Sequence, residues 1–479
     1  MTPDERRSLL ELLLPDGAAA RAVVIGSACP DRLRPRASAV TETGPVDLAV
    51  VAPGAGERSG AWLDHAVDVC STRLAPDGIA YLLLPRRERV RAWRALRRRG
   101  LDTGPALLHL PNAAITRDLV PLRRSALVQI APVAGWKRGL AVAIYRLGGA
   151  RLLGLASPRV GLVARRAGAR PLLAWMDSGD EQRYEAAWIS STWRRSGSSA
   201  IVRPFSRGSE AALVAKVALV ESDAGPREEK RLRRLAPAAS NAGARVPQAV
   251  RSVDLAGSAG LVETRVDGRL AAPLLMDRAA RLDDVIGPVC GWIERFGAAT
   301  ARRERVTRER LERELLGPAS VLEPLLPEGD AYLRALVERC DRLAGTEVTV
   351  TAAHNDLTMW NVLIHRDGIG VLDWEAAEET ALPLKDLFYA TVDAVAATTG
   401  YLDRAEAARE CLAPAGPRAR WADRASRLAD KLGIEPPLAE LSLHACWVGH
   451  AANEHRAAEE GDARPFLEIA RWLASTLAP

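Results

Sequence analysis

Long apolar runs are missing from the 479-residue sequence. Its most apolar stretches, residues 139–145 and 152–156, end at arginines, far short of the 18 or more residues that a membrane-spanning helix needs. The first residues, MTPDERRSLLELLLPDG, mix acidic and basic side chains and lack the apolar core of a signal peptide. We therefore expect a cytoplasmic protein without a membrane span.

The cysteine patterns of zinc sites and disulfide frameworks are missing too. Six cysteines are scattered along the chain, and no two of them have CxxC spacing. This predicts neither a zinc site nor the bridges of a small secreted domain. The composition, 48% hydrophobic and 26% charged, is that of an ordinary globular chain whose length allows several domains.

Lysine is scarce, since only five of the 66 basic residues are lysines. A lysine at a position where chemistry demands one is therefore informative. The net charge of +6 is too dilute for a nucleic-acid footprint, so we predict no nucleic-acid partner. One dense arginine cluster, residues 86–100, fits either a phosphate-binding surface or a solvated helix face, and the second interpretation is the commoner one.

An α/β pattern fills residues 1–130. Apolar runs typical of buried strands (22–26, 47–53 and 79–85) alternate with a helical pattern at 61–74, as in a parallel sheet covered on both faces. The segment LAPDGIAYLLLP is similar to a late segment of class I S-adenosylmethionine methyltransferases, which implies a Rossmann-like domain. However, the first loop, GSACPDR, has only Gly26, and Glu42 is a poor candidate for a ribose ligand. We expect a degenerate, non-catalytic domain.

The rest of the chain changes from strand-rich to helical. Residues 131–184 are interpreted as a connector, and strand patterns at 186–192, 199–206, 212–220 and 260–266 surround a charged helix at 227–236. Helical spacing covers 277–296, 301–316 and 331–343. We therefore predict a strand-rich lobe over 185–266 and a helical lobe over 267–479.

A polar loop between two strand patterns holds His354, Asp356 and Asn361, and Asp373 follows at the end of a predicted hairpin. This spacing has a chemical use. A carboxylate on a rigid loop accepts a proton from an attacking hydroxyl, while an amide oxygen and a second carboxylate converge on Mg²⁺ that bridges ATP phosphates. The alternative is that these residues only form hydrogen bonds within the loop. It is weaker, because three polar residues at mechanistic spacing lie between apolar patterns typical of buried strands.

The strings HNDLTMWNVL, VLDWE and PLKDL resemble the aminoglycoside phosphotransferase-like and choline-kinase-like branch of the protein-kinase-like fold, over about residues 185–479. The resemblance implies a bilobal α+β kinase-like domain that uses ATP and Mg²⁺. It implies Asp356 as the catalytic base, Asn361 and Asp373 as the Mg²⁺ ligands within the loop 354–361 and the motif 373–375, and His354 as a brace for the loop.

Three further residues of this region are assigned neither to catalysis nor to metal binding. Asn355 and Trp360 replace residues that are often glycine or small in the family, but neither is one of the three essential positions. Asp386 is expected to cap a helix or pin it near the loop, which is a structural task.

The same fold requires a strand lysine that holds the ATP phosphates and a helix carboxylate that holds the lysine. Lys216 lies within a strand pattern, and its partner is Glu228 or Glu229, of which Glu228 has the better helical spacing. The backbone of a short turn is expected to bind phosphate. The connection between the two lobes is expected to contact adenine. The residues concerned are Gly197, Ser198 and Ser199 for phosphate and Glu263 for the adenine connection.

Candidate acceptor-binding residues lie after the metal motif and on a late helix. Glu375 could support the metal, face the substrate or remain solvated. Trp447, His450 and Glu454 share one face of the late helix and would suit a hydroxylated or amine-bearing ligand. An equally good interpretation makes Trp447 a core residue and His450 and Glu454 a surface pair.

The function predicted is an ATP- and Mg²⁺-dependent phosphotransferase acting on a hydroxyl of a small molecule such as a sugar, an aminoglycoside-like compound or another metabolite. One alternative is a nucleotide-binding pseudokinase or scaffold, against which the four residues Lys216, Asp356, Asn361 and Asp373 argue. Another is a bifunctional methyltransferase and kinase, against which the poor first loop argues. The sequence does not choose the acceptor.

Overall fold

A computed structural model describes most of the chain and divides it into two compact units. The described residues are 7–36, 39–57, 59–110, 117–122, 126, 159–177, 184–194, 197–206, 209–220, 222–413, 416–458 and 464–477. Unit 1 comprises Met1–Glu229 and Ala249–Arg265, and unit 2 comprises Lys230–Gln248 and Val266–Pro479. Among the described helices, none is both long and apolar enough to cross a membrane.

Unit 1 is built on one 13-stranded sheet, in the order β1-β2-β3-β7-β5-β6-β8-β9-β11-β14-β13, with β4 paired to β7 and β10 paired to β9. Its strands are β1 Ala22–Ile25, β2 Val46–Val51, β3 Leu74–Pro85, β4 Leu101–Thr103, β5 Leu107–Leu110, β6 Asp118–Pro121, β7 Arg159–Arg166, β8 Ala186–Arg194, β9 Gly197–Ser206, β10 Ser209–Glu210, β11 Leu213–Ala218, β13 Ala249–Leu255 and β14 Ser258–Thr264. Its helices are α1 Gly60–Arg73 and α2 Arg89–Arg98, and the first turns of α3 Ala224–Asn241 also belong to it.

The sheet of unit 1 is mixed rather than parallel throughout. Only β1, β2 and β3 pair in parallel, whereas β3 pairs antiparallel with β7, and every later pairing in the sheet is antiparallel. The predicted parallel sheet is thus limited to three strands. The Rossmann-like interpretation misses β7, a strand inside the predicted connector, which pairs over almost its whole length with residues 79–85 of β3.

Both faces of this sheet are buried, which explains the continuous apolar runs of β2 and β3. Alternate residues of a strand point to opposite faces. Leu48 and Val50 therefore enter one core, while Ala49 and Val51 enter another, which α1 and α2 cover. The first core also contains residues 9–14 together with Val202 of β9. Residues on both sides of the predicted connector thus share one sheet and one core.

Unit 2 is mainly helical, with two small sheets in the orders β12-β19-β18-β15 and β16-β17-β20. Its strands are β12 Ala244–Arg245, β15 Arg269–Leu270, β16 Arg302–Arg305, β17 Glu347–Ala353, β18 Val362–His365, β19 Gly368–Val371 and β20 Glu378–Ala381. Its helices, after the end of α3, are α4 Ala271–Met276, α5 Leu282–Thr300, α6 Arg308–Leu311, α7 Gly317–Leu322, α8 Gly329–Leu343, α9 Lys385–Thr398, α10 Arg404–Leu412, α11 Ala422–Leu432, α12 Pro436–Ala457 and α13 Pro465–Leu477. A π-helical turn, Glu312–Leu316, joins α6 to α7.

The helix predicted over residues 301–316 is wrong at its beginning. Residues 302–305 instead form β16, which pairs antiparallel with β17. The helical part begins only after Thr307, whose side chain accepts a hydrogen bond from the Arg310 N–H as an N-cap. The pairing matters for function, because β17 leads directly into the loop that begins at His354.

Candidate active site

The polar loop of unit 2 lies between β17 and the β18–β19 hairpin. Asn361 precedes β18, and Asp373 follows β19 by two residues. The Leu372 N–H donates to the Asn361 carbonyl over 2.8 Å, so the hairpin brings the two predicted metal-ligand positions to the same end. The nearness of Asn361 and Asp373 is therefore fixed by local chain geometry.

Asp356 lies in the centre of this arrangement. The Asn361 Nδ2 donates to Oδ2 of Asp356 over 3.1 Å and to its carbonyl over 2.9 Å. Burial, and then the negative charges of Asp373 and Asp393, raise the pKa of Asp356 to about 7. Two carboxylates that destabilise each other's charge next to an amide oxygen form a set of donors suited to Mg²⁺, a hard cation that prefers oxygen.

Within the described residues there is no cluster of three or more His, Cys, Asp or Glu side chains arranged to hold a metal ion by themselves. The predicted Mg²⁺ ligands are one amide and one carboxylate, and Mg²⁺ in phosphate-transfer sites is commonly held by one or two carboxylates plus the phosphates. The side chains present therefore fit a metal that arrives with a nucleotide.

His354 is a buried brace. Its side chain is fully buried, its Nε2 lies 2.9 Å from the Leu372 carbonyl, and its ring meets that of Trp374 edge-on. The ring thus holds the strand end that precedes Asp373. Its placement suits a positioning residue rather than a group that touches substrate.

Asn355 has a left-handed backbone conformation in the loop. Its backbone φ is 63°, in the left-handed region, where glycine is most comfortable and asparagine is the best tolerated side chain. Its amide side chain donates to the carbonyl of Ala376 and to Glu378. The Asn355 side chain therefore ties the loop to the segment after Asp373.

Helix α9 pins the loop with two buried aspartates. Asp386 accepts hydrogen bonds from the N–H groups of His354 and Asn355 at 2.7 and 2.8 Å, and Asp393 accepts one from Met359 at 2.7 Å. The two lie seven residues apart, which places them on one face of the helix. Asp386 was predicted from the sequence and Asp393 was not, although their seven-residue spacing was a usable signal.

Asp393 makes a second set of contacts, with an arginine and a tyrosine. Arg404 lies 3.0 Å from it, and the Tyr401 hydroxyl donates to it over 3.1 Å. Burial raises the pKa of Asp393, while Arg404 and the hydrogen bonds oppose that change.

The four predicted acceptor residues have different surroundings. Glu375 is exposed, and its carbonyl accepts a hydrogen bond from Arg231. Trp447 is completely buried, so its indole ring has no face open to a ligand. The Glu454 carboxylate accepts from the N–H groups of Phe466 and Leu467 at 3.0 and 3.1 Å and so caps α13. Of this set on α12, His450 alone reaches a cavity.

The cavity has a volume of about 470 Å³ and lies beside the polar loop. The residues that line the cavity include Asn355, Lys385, Tyr389, His450, Asn453 and Arg456. Tyr389 and His450 stack nearly parallel, with ring centroids 3.9 Å apart. Burial and the charges of Lys385 and Arg404 lower the pKa of His450 to about 3, so its ring is neutral near pH 7.

Two features tie this cavity to the loop. Asn355 is part of both, and Asp386, which pins the loop, also lines the cavity. In addition, burial and the charges of Asp356 and Asp393 raise the pKa of Tyr389.

In unit 1, Lys216 of β11 pairs with Glu228 of α3 at 2.5 Å. Glu228 is buried, and Lys216 is largely buried as well. Glu229 instead accepts a hydrogen bond from the Ser252 N–H over 3.0 Å. The side chains of two consecutive glutamates thus have separate tasks, and the ion pair belongs to Glu228.

The predicted nucleotide-contacting residues of unit 1 lie in strands. Gly197, Ser198 and Ser199 begin β9, opposite residues 192–194 of β8. Ser199 also pairs with Ala218 of β11, and its hydroxyl lies 3.0 Å from that of Thr192. Glu263 is buried in β14 opposite Val214. Because the pairing of β8 with β9 extends to Gly197, the connection between these two strands is shorter than the sequence pattern predicts.

A strand lysine paired with a helix glutamate, together with a loop carboxylate, an amide and a second carboxylate on a hairpin, defines a protein-kinase-like phosphotransferase. A family comparison agrees with this class. The model of the phosphotransferase enzyme family (APH) matches residues 180–423, and the chain belongs to this family. Residues 1–179 lie outside the match.

Solved structures with this fold are similar to the chain at low identity. The aminoglycoside phosphotransferase APH(3'')-Id from Streptomyces rimosus, in complex with ADP and streptomycin, is 20% identical over 51% of this chain and 88% of its own, with a TM-score of 0.33. Amicoumacin kinase hAmiN with AMP-PNP and Ca²⁺ is 13% identical over 60% and 87%, with a TM-score of 0.35. A choline/ethanolamine kinase family protein from Mesorhizobium loti is 15% identical over 60% and 87%, with a TM-score of 0.34. No curated protein matches the chain.

Proposed function

We propose that this protein transfers the γ-phosphoryl group of ATP to a hydroxyl of a small molecule. The observation that carries the proposal is the position of Asp356, which is hydrogen-bonded to Asn361 and whose pKa is raised by burial and by the charge of Asp373. A base whose pKa lies near the working pH is best suited to general-base catalysis.

The reaction follows from these positions. Asp356 accepts the proton of the acceptor hydroxyl as its oxygen forms a bond to the γ-phosphorus, and the bond from that phosphorus to the bridging oxygen of ADP breaks. Asn361 and Asp373 would hold Mg²⁺, which when bound neutralises charge on the phosphates. Lys216, held by Glu228, would bind the α- and β-phosphates.

The acceptor is proposed to enter the cavity lined by Tyr389 and His450. A neutral imidazole stacked on a phenol presents apolar ring surface and hydrogen-bonding groups together, which suits a hydroxylated ring. The side chains around them carry both charges, with Lys385 and Arg456 among the basic ones and Glu312 and Glu378 among the acidic ones. The lining therefore favours a polar acceptor but not a particular compound.

The direct test of the function is transfer of labelled phosphate from γ-labelled ATP with Mg²⁺ to a panel of sugars, amino sugars, amino alcohols and nucleosides. We expect a labelled product with at least one acceptor, and none when the Asp356→Asn variant replaces the wild-type protein. Nucleotide binding without transfer to any member of a broad panel, and without slow ATP hydrolysis, would favour a pseudokinase.

Variants of α12 separate the acceptor site from the nucleotide site. Replacing the exposed Asn453 by alanine, or His450 by alanine, should raise the KM for the acceptor about tenfold and leave the KM for ATP within twofold, because one or two hydrogen bonds to the acceptor are lost. Steady-state kinetics with each substrate varied in turn measures both constants.

His455→Ala is the matched control for this experiment, because His455 lies on the same helix and contacts Arg464 rather than the cavity. It should leave both constants unchanged. Equal effects of Asn453→Ala and His455→Ala on the acceptor KM would contradict the assignment of the cavity.

We also propose that unit 1 does not bind S-adenosylmethionine. At the carboxyl ends of β1 and β2, where a Rossmann-like sheet binds its cofactor, the Glu57 carboxylate already accepts hydrogen bonds from the N–H groups of Ser27 and Gly54 at 2.9 and 2.8 Å. A Cβ on Gly54 would lie 2.2 Å from the Ser27 hydroxyl oxygen, so the two loops are closely packed.

We expect S-adenosylmethionine at millimolar concentration to leave the melting temperature unchanged, while ATP with Mg²⁺ raises it. A thermal-shift titration measures both. Saturable binding of S-adenosylmethionine at micromolar concentration would disprove this part of the proposal.

A further inference from the structure

The positive charge of this chain is concentrated in one part of the sequence. Residues 78–176 contain 19 arginines and lysines but only three acidic residues, a net charge of +16, whereas the whole chain carries +6. The remainder is therefore net acidic. A charge asymmetry of this size favours binding to a partner of opposite charge.

Helix α2 displays part of this charge on an ordered surface. Val90, Trp93, Arg94 and Arg97 follow the i, i+3, i+4, i+7 spacing of a single helix face, and all four are exposed. Ala92, Ala95 and Leu96 occupy the opposite face and are buried in the core of unit 1. We call the four exposed residues the arginine surface.

Two apolar side chains in the arginine surface are unusually open. Val90 is 55% exposed and Trp93 is 40% exposed. Arg97 stacks its guanidinium over the Trp93 ring at 5.2 Å from the centroid. Tryptophan and arginine are the residue types most enriched in the energetically important parts of protein interfaces. Contact with solvent alone does not explain why an aromatic and an aliphatic side chain lie exposed among arginines.

The edge of the same helix shows what its arginines bind. Arg91 donates to Asp64 over 2.9 Å, and Arg99 donates to Asp68 over 2.5 Å. Asp64 and Asp68 are four residues apart on α1, so a neighbouring helix with two carboxylates already forms ion pairs with two arginines at the edge of α2. Arg94 and Arg97 lie three residues apart on the exposed face of α2, where an external acidic helix could reach both of them.

We propose that the arginine surface of α2 is a docking site for an acidic helix of a partner protein. The partner presents carboxylates at i, i+4 spacing to Arg94 and Arg97 and small apolar side chains to Val90 and Trp93. Nucleic acid matches the charge but not the exposed valine, and an anionic membrane is less suitable because the apolar face of α2 is used in the core. This proposal does not depend on the phosphotransferase function.

The probe is a fluorescein-labelled peptide of about 20 residues with glutamates at i, i+4 and leucines between them, long enough to form helix on binding. Fluorescence anisotropy with the full-length protein at low salt should show saturable binding that weakens as salt is added, because exposed ion pairs are screened. The same peptide with glutamine in place of glutamate should bind at least tenfold more weakly.

Variants locate the site on the protein. The double variant Arg94→Ala, Arg97→Ala should weaken peptide binding about tenfold and leave folding intact, since alanine favours helix and two like charges are removed. Trp93→Ala should weaken binding without changing the salt dependence. The control is the double variant Arg342→Ala, Arg427→Ala, which removes the same charge from exposed positions in unit 2 and should bind like the wild-type protein.

Three results would overturn the proposal. They are equal binding of the glutamate and glutamine peptides, equal loss of binding in the two double variants, and tighter binding of a 20-base-pair DNA duplex or of phosphatidylserine vesicles than of the peptide at the same salt concentration. The last result would reassign the surface to nucleic acid or to membrane.

Discussion

Replacing Asp356 by asparagine should lower turnover about a thousandfold and change the affinity for ATP with Mg²⁺ by no more than a few-fold. General-base catalysis contributes roughly 10²–10⁴ to a rate, and the base acts in the transition state rather than in nucleotide binding. Asparagine has the same shape and keeps an oxygen for the hydrogen bond from Asn361, so the loop is expected to hold its geometry.

The control for this variant is Asp367→Asn, the same chemical change at an exposed turn between β18 and β19. It should leave turnover within twofold of wild type. Single-turnover kinetics at saturating ATP separates chemistry from product release. Near-native turnover of Asp356→Asn on the true acceptor would contradict the assignment of the base.

Loss of Lys216 or of the Asp373 charge should weaken the binding of ATP with Mg²⁺ by tenfold to a hundredfold as well as lower turnover. Each group is expected to contact the phosphates or the metal before the reaction begins, and a hydrogen bond to a charged group contributes about 1.5–3 kcal/mol. Calorimetric titration of Lys216→Ala and Asp373→Asn with ATP and Mg²⁺ measures the effect.

Lys216→Ala leaves the buried Glu228 carboxylate without this partner, which can cost stability. The double variant Lys216→Met, Glu228→Gln removes both charges and keeps the volume, so it should fold and still bind ATP weakly. Lys230→Ala, at an exposed position on α3, is the matched control and should bind normally. Unchanged affinity in both Lys216→Ala and Asp373→Asn would contradict the placement of the nucleotide.

Local chain geometry explains why the site residues of the loop in unit 2 could be predicted from the sequence. Asp356, Asn361 and Asp373 lie within 18 consecutive residues, on one loop and one hairpin. The register of the hairpin follows from its two-residue turn at Arg366 and Asp367, and this register brings Asn361 next to Leu372. No distant part of the chain is needed to bring these groups together.

The strands and helices of the first 100 residues were predicted for a similar reason. Apolar runs and the 3.6-residue period identify buried strands and amphipathic helices, and β1, β2 and α1 lie close to where the patterns place them, whereas β3 begins at Leu74, five residues before the predicted run. The neighbour of β3 was not predictable in this way. Pairing with β7 depends on residues about 80 positions away, and periodicity carries no information about partners at that distance.

The sequence by itself determined the phosphotransferase class, because the chemistry-bearing residues are close in sequence and their spacing is mechanistic. Tertiary structure alone decided the second pin at Asp393, the burial of Trp447 and the capping role of Glu454. It also pairs Lys216 with Glu228, the glutamate that helical spacing favours over Glu229. The physical reason is geometric. Consecutive helical residues point about 100° apart, and what each side chain meets is set by the element packed there.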